Sequence, residues 1–521
     1  MNGFLQTGLL CAGTLAVVTQ LPGCSGDTKS GGGLPVKPNI IYILADDLGY
    51  GDLGCYGQTR IETPNIDALA ARGVMFTRHF TGAPVCAPAR AVLLTGQHSG
   101  RSQVRGNDEW ADRGDVWNYR AMIADSSLEG QRPLRPGTTT IGTLLQSAGY
   151  TTAVVGKWGL GAPHTGGVPN KMGFDYFYGY NCQRQAHTLY PVHLWENDRK
   201  VGLRNDTIAP HTRLPEGADP YDPGSYRDFQ LNDYAPDLMF EALSGFISEN
   251  HQKPFFLYWA TPVPHVPLQA PQRWVDYYVK KFGEEEPYTG ERDYFPHRYP
   301  RAAYAAMVSH LDEQVGLLVE QLKQLGIYEN TLIIFTSDNG PSFNGGTDSP
   351  WFASGGPFRS ERGFGKANVN EGGIRVPMIA AWPGVIREGT VTDHPSVFYD
   401  VMPTLAEISG AGSSFDSDGI SFVPALTGKE QPQHAFLYWE YPESGGQMAV
   451  SVGHLKAMRK DMHKGNLQWE VYDLDADPGE TNNIAAQHPE FLKNVEEIVA
   501  REHTVPENPR WRFKALGEEQ N

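Results

Sequence analysis

Asn39-Ile-Ile-Tyr-Ile-Leu-Ala45 is an unbroken apolar, β-branched run that stops abruptly at Asp46-Asp47. Such a run suits a strand buried on both faces of a parallel sheet, because a half-exposed strand would alternate in polarity. Thr331-Leu-Ile-Ile-Phe-Thr336 repeats the pattern and ends in Ser337-Asp338-Asn339-Gly340. Both strands therefore deliver polar residues at their carboxyl ends, the edge where open α/β sheets bind ligands. Ahead of the second strand, Tyr304, Met307, Leu311, Val315, Leu318 and Leu322 recur at helical spacing and Gly326 follows as a C-cap, which predicts a crossover helix. Gly149-Tyr-Thr-Thr-Ala-Val-Val155 predicts a further buried strand, with Gly156-Lys157 at its end.

Further out, the texture changes. From about His434 onward, short segments (Phe436 to Tyr441, Leu455 to Arg459, Glu470 to Leu474) alternate with turns before a helix near Pro489 to Glu502. This predicts a small antiparallel sheet with a helix, packed on the main domain. The Gly- and Pro-rich stretch from Ser342 to Gly365 is long enough to suggest functional surface. At the other end, the apolar run Leu9 to Val18 is too short to span a bilayer and reads as a signal-peptide core, although no Lys or Arg precedes it. Leu21-Pro22-Gly23-Cys24 resembles a bacterial lipobox, with Cys24 as the lipidated residue and Ser25 to Gly33 as a flexible tether. The expected organisation is a lipoprotein-type signal peptide over 1–23, a tether over 24–36, a catalytic domain over 37–430 and a C-terminal subdomain over 431–521. The expected location is outside the cytoplasm, in the periplasm or at the outer membrane or cell surface, held to the membrane only by the lipid.

Composition narrows the function. With 40% hydrophobic and 20% charged residues the chain is globular, and its formal net charge of -17 argues against nucleic acid or an anionic lipid surface as a partner. An anionic substrate would need a local positive pocket. With Cys24 lipidated and Cys11 removed, Cys55, Cys86 and Cys182 remain of the five cysteines, which is no disulfide framework.

Asp46, Asp47, Asp338 and Asn339 converge on one edge if the strand reading holds. Three like charges repel and raise one another's pKa, so a bound cation is the natural compensation. Ligands that are all oxygen point to a hard ion, calcium ahead of magnesium.

Pro84-Val-Cys86-Ala-Pro88-Ala-Arg90-Ala-Val-Leu-Leu-Thr95-Gly96 resembles the signature of the type I, formylglycine-dependent sulfatases, an arylsulfatase-like group of the alkaline-phosphatase superfamily. Gly149 to Trp158 resembles the second signature of that family, and Pro264-His265-Val-Pro267 resembles its Pro-His-x-Pro segment. The resemblance implies a large mixed, mostly parallel sheet sandwiched by helices, with a small C-terminal antiparallel sheet plus helix. It also implies that Cys86 is oxidised to formylglycine by a formylglycine-generating or anaerobic sulfatase-maturing enzyme. One hydroxyl of the aldehyde hydrate then attacks sulfur, and the other collapses to expel sulfate. Cys86 joins Asp46, Asp47, Asp338 and Asn339 around calcium, Arg90 holds the hydrate, Lys157 binds sulfate, and His265 and Lys366 lie toward the leaving group. Either can protonate it, with His265 favoured. Relatives that read Gly-Lys-Trp-His place a histidine where this chain has Gly159; His164, reaching back from its loop, or a different side chain is the expected substitute.

Export with a lipid anchor suits removal of sulfate from glycans, so the expected substrate is a carbohydrate sulfate ester, with a galactose or N-acetylgalactosamine sulfate preferred. Asn181-Cys-Gln-Arg184-Gln-Ala-His187, set among aromatic residues, has donors and ring faces suited to a sugar, and Arg184 and His187, with His164, are the candidate substrate contacts. Two alternatives are a phosphonate or phosphate ester hydrolase with the same nucleophile, and an inactive glycan-binding lipoprotein.

Overall fold

A computed structural model describes residues 37–519. The expected signal peptide, Cys24 and its tether lie outside the described residues. Eleven strands form one large sheet. They are β1 (Asn39–Ala45), β2 (Val74–Phe80), β3 (Thr151–Lys157), β4 (Tyr176–Tyr180), β5 (His193–Glu196), β6 (Arg199–Gly202), β7 (Phe255–Ala260), β8 (Thr331–Ser337), β9 (Arg375–Ala381), β10 (Thr390–Thr392) and β11 (Ser396–Val397). Their order is β10-β2-β9-β8-β1-β7-β3-β4-β5-β6, with β11 beside β2. The centre, β8-β1-β7-β3-β4, is parallel, and β9 runs antiparallel to both β8 and β2.

Every residue of β1 and β8 is buried, as their continuous apolar runs require. Alternate residues of β1, Ile41, Ile43 and Ala45, share a core with Leu243 and Phe246 of the helix Ala235–Asn250 and with Leu311 and Val315 of the helix Pro300–Gln324. The second of these is the crossover helix read from the sequence, and Gly326 follows it with φ of 70°. The helices Cys86–Thr95, Ile141–Ser147 and Val401–Ser409 pack on one another in a second helical group.

β3 runs two residues further than its apolar stretch predicts and takes in Gly156 and Lys157. Gly156 sits beside Ala260 of β7 and Gly179 of β4. A Cβ at Gly156 would come within 1.9 Å of the Ala260 carbonyl oxygen, so only glycine carries the strand to Lys157.

The second sheet is an antiparallel meander of β12 (Leu437–Tyr441), β13 (Gln447–Val452), β14 (Leu455–Arg459) and β15 (Glu470–Asp473). Tyr438, Val450, Ala457 and Val471 close a core with Val495, Ile498 and Val499 of the helix Pro489–Glu502. β13 is the strand the sequence reading missed. The Trp439 indole donates to the Thr81 carbonyl at 2.8 Å, tying this sheet to the loop ahead of Cys86.

Candidate active site

Because β1 and β8 are adjacent and parallel, with Ala45 beside Ser337, the residues after each strand emerge side by side. The Asp338 N–H donates to the Ala45 carbonyl at 2.9 Å. Asp47 takes φ of 66°, which Asp tolerates better than most residues. Its N–H donates to Asp338 Oδ1 at 3.1 Å, and its Oδ1 accepts from Asn339 Nδ2 at 2.7 Å. All four side chains are buried.

Cys86 opens the helix Cys86–Thr95, where Pro88 in the first turn removes no intrahelical donor. One turn on, Arg90 lies on the same helix face. Its Nη2 donates to Asp46 Oδ2 at 3.1 Å and Asp338 Oδ2 at 2.9 Å, and its Nη1 donates to the Lys157 carbonyl at 2.6 Å. Cys86 Sγ lies 3.4 Å from Asp46 Oδ1. Lys157 Nζ, at the end of β3, is 2.7 Å from Asp46 Oδ2, and Lys366 Nζ is 2.8 Å from Asp47 Oδ2. His265 Nε2 lies 3.7 Å from Asp47 Oδ2. The other ring nitrogen, Nδ1, meets the Val266 carbonyl, which only accepts, so the neutral ring carries its proton on Nδ1.

Three carboxylates thus face three cations, all buried except Lys366, whose side chain is 16% exposed. Desolvation opposes ionisation of Asp46, but Lys157, His265 and Arg90 outweigh it and hold its carboxyl well below the usual range. Asp338 is pushed up to about 6 by burial and by repulsion from Asp46. Asp47 is also raised, by burial first, with Lys366 opposing. Burial and Asp46 push the Cys86 thiol up to about 12, so the encoded side chain is protonated at neutral pH and a poor nucleophile. His265 is lowered by burial and by Lys366, whereas Lys366 is raised because Asp47 outweighs its burial.

The residues present fit a hard divalent cation. Asn339 Oδ1 is buried with no hydrogen-bond partner, an orphan acceptor beside three carboxylates. One ligand atom each from Asp46, Asp47, Cys86 and His265 falls within 4.8 Å of the others. Asp46, Asp47, Asp338 and Asn339 would supply oxygen only, the donor set of calcium or magnesium.

The predicted substrate contacts divide. His187 belongs to the site: its ring stacks on His265 at 5.6 Å and 15°, and its edge meets Tyr294. Its Nδ1 is buried without a partner. Arg184 instead lies over the exposed Trp117 ring at 4.9 Å and donates to the Val116 carbonyl at 3.3 Å. His164 does not reach Cys86. With φ of 63° its ring turns outward, exposed and edge-on to Trp195, in a cavity of about 450 Å³ shared with Asn170, Asn181 and Asn197. The space a side chain at 159 would take holds Gln183: a Cβ on Gly159 would lie 2.7 Å from Gln183 Cγ. Gln183 Nε2 donates to Asn107 Oδ1 at 3.2 Å, and the same oxygen accepts from the N–H of Ala87, next to Cys86, at 3.1 Å. Gln183 lies inside the motif read for sugar contacts, but its packing on Gly159 joins distant segments and left no local signal. Asn107 and Tyr294 went unnoticed for the same reason.

The chain matches the Sulfatase family over residues 38–411 and the family "N-sulphoglucosamine sulphohydrolase, C-terminal" over 360–504. It is 32% identical to arylsulfatase A of Homo sapiens, covering 88% of this chain and 87% of that protein. It is 28% identical to the N-acetylgalactosamine-6-O-sulfatase of Bacteroides thetaiotaomicron, covering 92% and 96%. Among solved structures, Ps i-CgsB in complex with k-i-k-neocarrahexaose superposes with a TM-score of 0.69 at 26% identity, over 93% of this chain and 100% of that one. The chain belongs to the sulfatase family of the alkaline-phosphatase superfamily. It is a sulfuric ester hydrolase.

Proposed function

We propose that the protein removes sulfate from carbohydrates outside the cytoplasm, through a formylglycine at position 86 and a calcium ion held by Asp46, Asp47, Asp338 and Asn339. The observation that carries this reading is the state of Cys86. It is a buried thiol that stays protonated at neutral pH, yet it sits where Asp46, Arg90, Lys157, His265 and Lys366 converge. Conversion to an aldehyde hydrate supplies the missing nucleophile and, in its second hydroxyl, a route for expelling sulfate. Bound calcium supplies Lewis-acid polarisation of a sulfate oxygen and stabilises the nucleophilic oxygen.

The remaining work falls to the chain. Arg90, locked by three buried hydrogen bonds, fixes the carboxylate geometry beside residue 86. Lys157 offers charge to the non-bridging sulfate oxygens, in a desolvated pocket where each interaction is strengthened. His265 and Lys366 flank the bridging oxygen. Lys366 carries its proton in the free enzyme, and His265 gains one once the anionic ester is bound. His187 presents its unpartnered Nδ1 to a sugar hydroxyl. Asn107 and Gln183, not His164, stand beside residue 86 where Gly159 leaves room.

A galactose or N-acetylgalactosamine sulfate is the preferred substrate, in keeping with the names of the galactosamine sulfatase and of the neocarrahexaose complex. Export as a lipoprotein anchored at Cys24 completes the proposal. The test is peptide mass analysis of residue 86 in protein from a maturation-competent host, followed by a screen against defined sulfated sugars and an aryl phosphate. Formylglycine with release of sulfate from a sugar is the expected result. An unconverted thiol, or turnover confined to phosphate esters, would overturn it.

A further inference from the structure

Lys366 does not hold its own place. It sits in a loop between β8 and β9 whose next residue, Ala367, takes φ of 67°, a left-handed conformation that costs a non-glycine residue about 1 kcal/mol. Its backbone is fixed from three sides. The Lys366 N–H donates to the Pro341 carbonyl at 3.1 Å, just beyond the Asp338-Asn339 tip. The Ala367 N–H donates to the Pro84 carbonyl at 2.9 Å, just ahead of Cys86. The third side is a side chain from the small sheet: Gln447, first residue of β13 and 2% exposed. Its Oε1 accepts from the Val369 N–H at 3.1 Å, and its Nε2 donates to the Ala367 carbonyl at 2.9 Å. One amide thereby imitates two rungs of a strand ladder across the left-handed turn.

The same hairpin touches the opposite wall of the site. Glu443, in the β12–β13 turn, accepts from the backbone of Asn107, whose side chain caps the residue after Cys86. The small sheet therefore contributes to both flanks of residue 86.

We infer that Gln447 is a positioning residue for catalysis, holding Lys366 Nζ at the bridging oxygen of the sulfate ester, so that the C-terminal sheet is part of the catalytic apparatus. This rests on the proposed role of Lys366. Asp47 restrains the ammonium end, but a carboxylate that also serves a cation cannot by itself set where the lysine stem starts; the Pro341 and Pro84 carbonyls fix the near side of the turn, and Gln447 fixes its far side.

The consequence depends on the leaving group. A poor leaving group needs its oxygen neutralised as the S–O bond breaks, and a good one does not. The experiment measures kcat and KM for matured wild type, Gln447→Ala, Gln447→Glu, Lys366→Ala and Val450→Ala on aryl sulfates with phenols of graded acidity, together with hydrogen exchange at 366–370. Val450 lies in the same strand and in the core of the small sheet, so its truncation controls for general loosening. Gln447→Ala is expected to lower kcat about 10- to 100-fold on the poorest leaving groups and less than about threefold on the best, with KM little changed. Exchange at Val369 should rise. Gln447→Glu, which keeps the acceptor for Val369, should fall between and covers the case in which the alanine variant does not fold. Lys366→Ala should show the same dependence more strongly, and Val450→Ala should show none. A wild-type dependence in both Gln447 variants beside a steep one in Lys366→Ala would overturn the inference and leave the role of Lys366 intact. A flat response in Lys366→Ala would overturn that role, and the inference with it.

Discussion

Arg90→Met removes the charge that balances the acidic half of the site while keeping most of the side-chain volume. The guanidinium is fully buried, as are Asp46 and Asp338, the two carboxylates it bridges. Removing one partner of a buried pair costs about 3–5 kcal/mol, because the other charge is stranded. The two carboxylates will not share that cost equally. Asp46 keeps Lys157 at 2.7 Å, whereas Asp338 has no other cation within salt-bridge distance among the described residues. Burial and Asp46 already push Asp338 up to about 6 against the pull of Arg90, so losing Arg90 favours its protonation at neutral pH and relieves part of the loss. The lower end of that range is therefore expected in calcium-free buffer. Calcium at 100 times its Kd should then return about 2.7 kcal/mol to any form that binds it. The variant should gain at least as much as wild type, since Arg90 no longer competes for Asp46 and Asp338, and the gap between them should narrow. Urea unfolding of the unconverted Cys86 protein, in chelator and in calcium, measures both quantities without reference to activity. A loss below about 1 kcal/mol in chelator would refute the stranded-charge argument. A variant indifferent to calcium beside a responsive wild type would show that Arg90 builds the cation site rather than balancing it.

Two further outcomes follow from side chains around this centre. Gly159→His should lower stability by about 2–4 kcal/mol, from a left-handed backbone at φ of 75° and a Cβ 2.7 Å from Gln183 Cγ; calorimetry of Gly159→His with Gln183→Gly should recover the packing part, and no recovery would mean that Gln183 is not what fills the space. Asp52, buried under the Tyr304 hydroxyl, has its pKa raised by burial from 3.8 to about 6, so the folded state binds the extra proton and the stability this group contributes, full below pH 4, is lost as pH rises through 6. Asp52→Asn should flatten that fall by about 2 kcal/mol between urea titrations at pH 4.5 and 7, and parallel curves for the two proteins would exclude it.

The parts of the molecule legible in the sequence are those whose signal is local. β1 and β8 announce themselves as continuous apolar runs, the helix Pro300–Gln324 by its spacing, and the four-residue acidic edge by its position just after two such strands. β13 was not legible: Gln447-Met-Ala-Val-Ser-Val452 is buried as far as Ser451 without being uniformly apolar, because Gln447 spends its amide on a distant loop and Ser451 lies opposite Leu437. The replacement for the missing histidine was not legible either. His164 is close to Gly159 along the chain, but a positive φ after Pro163 turns it toward Trp195. Gln183 is distant along the chain, and the β3–β4 pairing brings it against Gly159.

The acidity of the whole protein and the anionic substrate are reconciled by where the charges are held. The net charge of -17 belongs to the chain at large, while at the site three carboxylates and three cations balance. In that balanced state each cation is occupied: Lys157 by Asp46, Lys366 by Asp47, Arg90 by Asp46 and Asp338. A sulfate ester arriving here would have to compete with carboxylates 2.7 to 3.1 Å away for every donor. With a divalent cation on the four-residue edge that competition would change: carboxylate oxygens of Asp46 and Asp47 turned to the cation would leave Lys157 and Lys366 to face an anion. On the proposed function, the first effect of a bound cation would be to release Lys157 and Lys366 for substrate. The scaffold must then keep those lysines from following the carboxylates. The end of β3 does so for Lys157 and, on the inference made above, Gln447 of the second sheet does so for Lys366.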